Sequence, residues 1–352
     1  MEVGGVRFRG AVRKKELLAR LLRACGGFRL AASARGRSAG ELLVLAYHRI
    51  LPVTPEPDYP FDVELISADP EQFDWQMAWI SRHFTPVSVS EIVDCLDRGK
   101  SLPAGAVAVT FDDGFIDNYT HAFPVLRARN IPACVFLSTD YVGDNSPYWF
   151  EAVAQLLMSA PARSVQLRAI AQLLPRADDH VMRREDVRLV LSELKRLPDE
   201  ARRSSLDALE PQMRGLATTR VGTGAHAMNW SQVREMSSSG IEFGSHGASH
   251  AVLSRLNAAD LARELRDSKL AIERETGAAV TAIAYPVGGE DSIGDPVVAA
   301  ARDAGYRVGF TYECGTNKAE PTDRMRLARQ HVERYTGRAY FQGLLAFPSM
   351  FD

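Results

Sequence analysis

The sequence predicts an α/β fold, a distorted (β/α) barrel of parallel strands interrupted by a helical insertion. Three observations predict it. Short apolar runs alternate with segments of helical spacing, the cadence of strand–helix–strand units joined by right-handed crossovers. Chemistry-bearing residues recur at the C-terminal ends of those runs, where a barrel of parallel strands gathers its functional groups. Between residues 151 and 225 the strand signal disappears, and Leu, Ala, Arg and Asp recur at helical spacing with few β-branched clusters.

Taken in order, residues 1–40 form a basic N-terminal arm. They hold ten Lys or Arg against Glu2 and Glu16, in a chain of 352 residues whose formal charge is only -2. The balanced total argues against a nucleic-acid partner, and the uneven spread sets the arm apart. Leu17, Leu18, Leu21 and Leu22 give residues 11–32 the spacing of a basic amphipathic helix, suited to peripheral contact with a membrane or to a partner. Gly26-Gly27 interrupts that pattern and the apolar face is short, which suits an unordered leader instead.

Leu42 to Tyr47 is a continuous apolar run, as in a buried parallel strand, and it ends on His48. Residues 51–70, rich in Pro and Asp, read as a long surface loop. Phe73, Met77 and Ile80 mark a helix from Pro70 to Phe84, with Ser67 or Asp69 as its cap. Val87-Ser88-Val89 reads as a short strand, and Ser90 opens a helix that stops at Gly99. Val107 to Phe111 is a strand that delivers Asp112, Asp113 and Gly114; Asn118 to Arg129 is helical; Ile131 to Leu137 is again a strand.

Beyond the insertion, a helix from Trp230 ends at Gly240, and Ile241-Glu242-Phe243 is a strand running into Gly244-Ser245-His246-Gly247-Ala248-Ser249-His250. A helix over Ala258 to Thr276 ends at Gly277. Val280 to Tyr285 is a strand, Pro296 to Ala304 a helix, and Val308 to Thr311 a further strand. The domain is therefore split, with residues 41–150 and 226–340 building the barrel around the insertion.

Adjacent carboxylates at a strand end repel each other unless a cation or hydrogen-bond donors compensate. Asp-Asp-Gly alone is also a common turn. The histidines change its meaning, because the four-residue separation of His246 and His250 on a helical turn or tight loop places both imidazoles on one ion. Two imidazoles and a carboxylate suit a divalent metal, zinc above all, with positions left for water. Cys25, Cys95, Cys134 and Cys314 are too dispersed for a thiolate site or a disulfide framework. No run reaches the length needed to span a bilayer, and no secretory signal is seen. The expected location is cytoplasmic, at the inner membrane face if the basic arm engages anionic lipid.

Thr110-Phe111-Asp112-Asp113-Gly114, followed by Gly244 to His250, resembles the first two motifs of the polysaccharide deacetylase family, the NodB-homology domain of carbohydrate esterase family 4. Val44 to Arg49 and Phe73 to Trp79 look like the entry segment of its bacterial exopolysaccharide deacetylases, and some longer members carry a similar helical insertion. The resemblance covers residues from about 42 to 150 and from about 228 to 335. It implies hydrolysis of N-acetyl groups on an amino-sugar polymer or glycolipid. Asp113, His246 and His250 would hold one divalent metal (zinc, with cobalt, nickel or manganese as substitutes), and Asp112 would be the general base on metal-bound water. Val287, within Tyr285-Pro286-Val287, matches the family's oxyanion donor.

Where that family has an arginine steadying the base, this chain has Ala284, so something else must hold Asp112. The fourth, Asp-rich motif has no clear match. The general acid is left between His331, in Leu327-Ala328-Arg329-Gln330-His331-Val332, and His48. A same-fold hydrolase of non-carbohydrate amides and a catalytically degenerate sugar-binding domain are the competing readings.

Overall fold

The computed structural model describes residues 27–36, 40–52, 59–159, 184–217, 226–318 and 323–351. Strand β1 (Glu41–Tyr47) is buried along all but its first residue and pairs in parallel with the later strand Ala106–Phe111. Next come β2 (Arg49–Ile50), which pairs with β3 (Ile66–Ala68) in a separate two-stranded sheet, and β4 (Thr85–Pro86). Then follow β5 (Ala106–Phe111), β6 (Ala133–Leu137), β7 (Glu242–Ser245), β8 (Ala282–Ala284), β9 (Val308–Phe310), β10 (Asn317–Lys318) and β11 (Gln330–His331). The main sheet runs β10-β1-β5-β6-β7-β8-β9, with β4 beside β5 and β11 beside β1. Among the described strands of this sheet, only β10 is antiparallel to its neighbour.

A short segment bridges the two sides of this sheet. Leu327 forms a parallel bridge with Phe310, and three residues on, β11 pairs with β1. The Leu327 N–H donates to Gly309, the Thr311 N–H to Leu327 and the Val332 N–H to Ala46, at 2.8–3.0 Å. Residues 327–331 thus run between β9 and β1.

Side-chain alternation divides the strands between two cores. Val44, Ala108, Phe136, Ala284, Phe310 and Leu327 face one buried cluster, which the helix Val89–Arg98 joins through Ile92 and Val93. Leu43, Leu45, Val107, Val109, Val135 and Ile283 face the other, where the outer helices pack. Helix Pro70–His83 starts at Asp69, whose carboxylate accepts the Gln72 N–H, and buries Phe73, Met77 and Ile80.

Several expectations shift by tertiary context. Val87–Val89 is not a strand: Ser88 instead forms a capping box with Glu91, starting the helix at Val89. Residues 51–70 are not simply a surface loop, because Tyr59, Phe61, Val63 and Ile66 bury one another and β3 pairs with β2. Gly27 begins a helix (Gly27–Arg35) whose Phe28 packs edge-on against Phe351, so this part of the arm is docked. The leucine-rich part at residues 11–26 lies outside the described residues.

The insertion is helical where described, with Trp149–Ser159, Arg184–Arg196 and Asp199–Ala217. It has a core of its own, in which Val153, Leu157, Val190, Leu194 and Leu209 meet Phe115 and Tyr148 from the barrel side. Arg49, Asp117 and Glu151 also join it to the barrel beneath the surface. Arg49 Nε donates to Asp117 at 2.9 Å and its Nη1 to Glu151 at 3.3 Å, with all three side chains buried.

Candidate active site

The ends of β5 and β7 place the acids and histidines. The Asp112 N–H still donates to Tyr47 C=O at 2.9 Å, continuing the β1–β5 ladder. Asp113 then turns left-handed at φ 71°, and Gly114 follows at φ 74°, where a Cβ would lie 2.3 Å from Leu137 Cδ2. That turn separates the two carboxylates. His246 likewise extends β7, donating to Leu137 C=O at 2.8 Å. No helix joins His246 to His250; the expected turn is a tight loop. Glu264, from the helix Ala258–Thr276, holds it by accepting the N–H groups of Ala248 and Ser249 and the Ser249 hydroxyl, at 2.6–2.9 Å.

The loop brings His246, His250 and Asp113 together. One ligand atom from each lies within 4.8 Å of the others, and all three residues are buried. Asp113 Oδ1 is 3.1 Å from His250 Nε2 and 3.6 Å from His246 Nε2, yet it accepts no hydrogen bond. His246 Nδ1 lies 2.7 Å from Ala284 C=O, which fixes the proton on Nδ1 and leaves Nε2 a lone pair. Burial keeps both imidazoles neutral, lowering His246 and taking His250 to about 3. Burial also raises the Asp113 carboxyl, with His246 the largest opposing influence. A buried carboxylate oxygen that accepts no hydrogen bond, beside two neutral imidazoles, fits a divalent cation.

Asp112 has the opposite surroundings. Burial alone would raise its pKa, but the charge and hydrogen bonds of Arg329, joined by His246 and His48, together hold the carboxyl below the ordinary range. Arg329 Nη1 and Nη2 meet the two Asp112 oxygens at 2.7 Å each, and Nε donates to Thr311 C=O at 2.8 Å. This fully buried guanidinium fills the role left open by Ala284. It lies in the segment bridging β9 and β1, 217 residues from its partner in sequence.

A cavity of about 350 Å³ opens over these groups. Its wall includes His48, Asp112, Asp113, His246, His250, Tyr285 and Val287. Val287 has φ 67°, so Asp113, His250 and Val287 are three of the four non-glycine residues with positive φ among those described. Such strain concentrates at functional sites. Pro286 is buried and His331 lies outside the wall. The His331 ring stacks on Tyr312 at 3.5 Å, its Nδ1 is 3.6 Å from Cys314 Sγ, and burial followed by the Arg329 charge lowers it to about 3. His48 approaches Tyr312 edge-on at 5.5 Å.

The wall also contains residues that sequence reasoning missed. Phe150 comes from the helix Trp149–Ser159 that leads into the insertion and Lys195 from the insertion itself, Asp62, Glu64 and Leu65 from the segment before β3, and Tyr312, Glu333 and Tyr335 from around the bridging segment. No local motif marks them. Arg329 had a usable signal, standing two residues before the candidate His331 in a chain that lacked an arginine at Ala284.

The polysaccharide deacetylase family model matches residues 99–175 and 200–309, about half of the chain. Over 59 residues the chain is 44% identical to poly-beta-1,6-N-acetyl-D-glucosamine N-deacetylase of Escherichia coli K12, covering 16% of this chain and 9% of that protein. It is 30% identical over 111 residues to the protein of that name from Staphylococcus epidermidis, covering 30% of this chain and 38% of that protein. The matches thus span less than two-fifths of either relative. The fold is similar to Streptococcus pyogenes deacetylase PplD in complex with acetate, with TM-score 0.57 and 20% identity, covering 85% of this chain and 96% of that one. A family model that matches just over half of the chain settles its membership: the chain belongs to the polysaccharide deacetylase family.

Proposed function

We propose that the protein is a metal-dependent hydrolase that removes N-acetyl groups from an amino-sugar polysaccharide or glycoconjugate. The observation that carries this reading is the division of labour between Asp112, ionised against Arg329, and Asp113, left without a hydrogen bond beside the His246 and His250 imidazoles on the same cavity. The activity for which the E. coli and S. epidermidis relatives are named supports an N-acetylated hexosamine polymer as substrate.

Asp113, His246 and His250 would hold the divalent ion. When bound, it supplies Lewis acidity, polarising the amide carbonyl and making water a stronger acid. Asp112 accepts the proton of the attacking water. Arg329 fixes both carboxylate oxygens, so the base is in place before substrate arrives. The Val287 N–H is assigned to the carbonyl oxygen as charge develops there, with Tyr285 and Pro286 setting the position of that peptide. His48, on the cavity wall, is assigned to deliver a proton to the departing amine, and His331 to support Tyr312 from outside the wall. The products are acetate and a free amine on the sugar.

The test is acetate release and metal content for wild type and Asp112→Asn on N-acetylglucosamine oligomers. The mutant should retain its metal and lose turnover by about 10²–10⁴-fold, the usual worth of a general base. Normal turnover in Asp112→Asn overturns the base assignment.

A further inference from the structure

A second cavity, of about 330 Å³, lies behind the loop that carries His246 and His250. Ala248 and Ser249 form part of its wall, facing the helix Ala258–Thr276 on one side and the insertion helix Asp199–Ala217 on the other. Neither the motifs nor the proposed reaction uses it.

Arg202 is what singles it out. The residue lines the cavity and is only 4% exposed. Its Nη2 pairs with Asp199, but Nε and Nη1 have no hydrogen-bond partner. The neighbouring arginines are already paired, Arg203 with Asp199 at 2.6 Å and Arg263 with Asp260 at 2.8 Å. Leaving charged donors buried and unmet is costly, and a ligand oxygen in the cavity would remove that cost.

The rest of the wall limits the ligand. Asp140, Glu264 and Asp267 share the cavity with the three arginines and would repel a doubly charged anion. Glu264 is committed to the loop, as described above. A single carboxylate can satisfy Arg202 without accumulating negative charge against these acids.

Occupancy would be felt at the metal ligands. The Arg202 guanidinium lies 5.2 Å from the centroid of the Trp149 ring, and Trp149 Nε1 donates to His250 C=O at 3.4 Å. Fixing Arg202 therefore fixes the indole that holds the His250 backbone, while Glu264 holds the two residues just before it. We infer that this cavity binds a small monocarboxylate through Arg202 and thereby steadies the loop bearing His246 and His250. The inference is independent of the reaction proposed above.

Sodium acetate is the probe, titrated into metal-free full-length protein by calorimetry and tryptophan fluorescence. Sodium chloride at matched ionic strength and inorganic phosphate are the comparators. Saturable acetate binding should weaken at least tenfold in Arg202→Met and tighten severalfold in Asp267→Asn, which removes one repelling acid. In zinc-loaded protein, acetate should slow zinc loss to a chelator at least threefold for wild type and not for Arg202→Met. An unchanged acetate response in Arg202→Met, an equal response to chloride, or tighter binding of phosphate than of acetate overturns the inference. Should Arg202→Met fail to fold, Asp267→Asn decides, and unchanged acetate affinity there overturns it. Acetate bound only in the catalytic cavity also defeats the inference, while leaving the deacetylase reading intact.

Discussion

Asp112 and Asp113 are adjacent in the chain and lie in electrostatically opposite regions. The Asp112 region is complete, since an arginine meets both oxygens and the carboxyl is held far below its usual pKa. The Asp113 region is unfinished, with an oxygen that accepts nothing and a carboxyl raised by burial. A single left-handed residue at the end of β5 sends one carboxylate toward Arg329 and the other toward the histidines. On the proposed mechanism, the lesson is that a base and a ligand would be made from identical side chains because the backbone reverses between them.

The largest effect that would sharpen this comparison is removal of the unfinished half. His250→Ala should abolish stoichiometric zinc binding and turnover together, and zinc should raise the Tm of wild type but not of the mutant. Retained zinc would take His250 out of the ligand set. Next comes the completed half. Arg329→Met leaves Asp112 buried without its cation, so unfolding free energy should fall by about 3–5 kcal/mol, read by denaturant titration. Arg329→Lys should restore part of the stability, but turnover less fully, because an ammonium cannot grip both oxygens. Equal turnover in Arg329→Lys and wild type would break the argument for two-point positioning.

A smaller effect separates the histidines. His48→Ala should lower kcat by about 10²-fold, the lower end for a general acid, and His331→Ala by only severalfold. The reverse order would return the acid role to His331. The remaining prediction concerns stability as a function of pH and not turnover. Burial raises Glu151 from 4.5 to about 8, with Arg49 the largest opposing influence. The folded state therefore binds this proton more tightly than the unfolded chain. The group's contribution is full below pH 4.5 and lost as pH rises through about 8. Between those values wild-type Tm should fall relative to that of Glu151→Gln; parallel Tm curves would remove Glu151 from the linkage.

The comparison also shows what was legible in the sequence. The histidine pair and the acids stood out because each follows an apolar run, and caps such as Asp69 and Gly277 are local chemistry. Arg329 was harder. Its segment pairs through a two-residue strand and one bridge, too short for any period, and its partner lies far away in sequence. Phe150 and Lys195 reach the cavity from helices whose spacing speaks only of their own core. Tyr59 and Phe61 were hidden because their burial depends on each other and not on a strand or helix repeat.

Residues 327–331 are among the last parts of the barrel to leave the ribosome, and they carry the arginine that charges Asp112. On the proposed mechanism, β1, β5, β6, β7 and both histidines are therefore synthesised before the residue that would organise the base. Completion of the barrel and readiness for chemistry become one event. On the proposed mechanism the site would stay silent until residues 327–331 are in place, and a lesion that detached them would silence it again without touching His246 or His250.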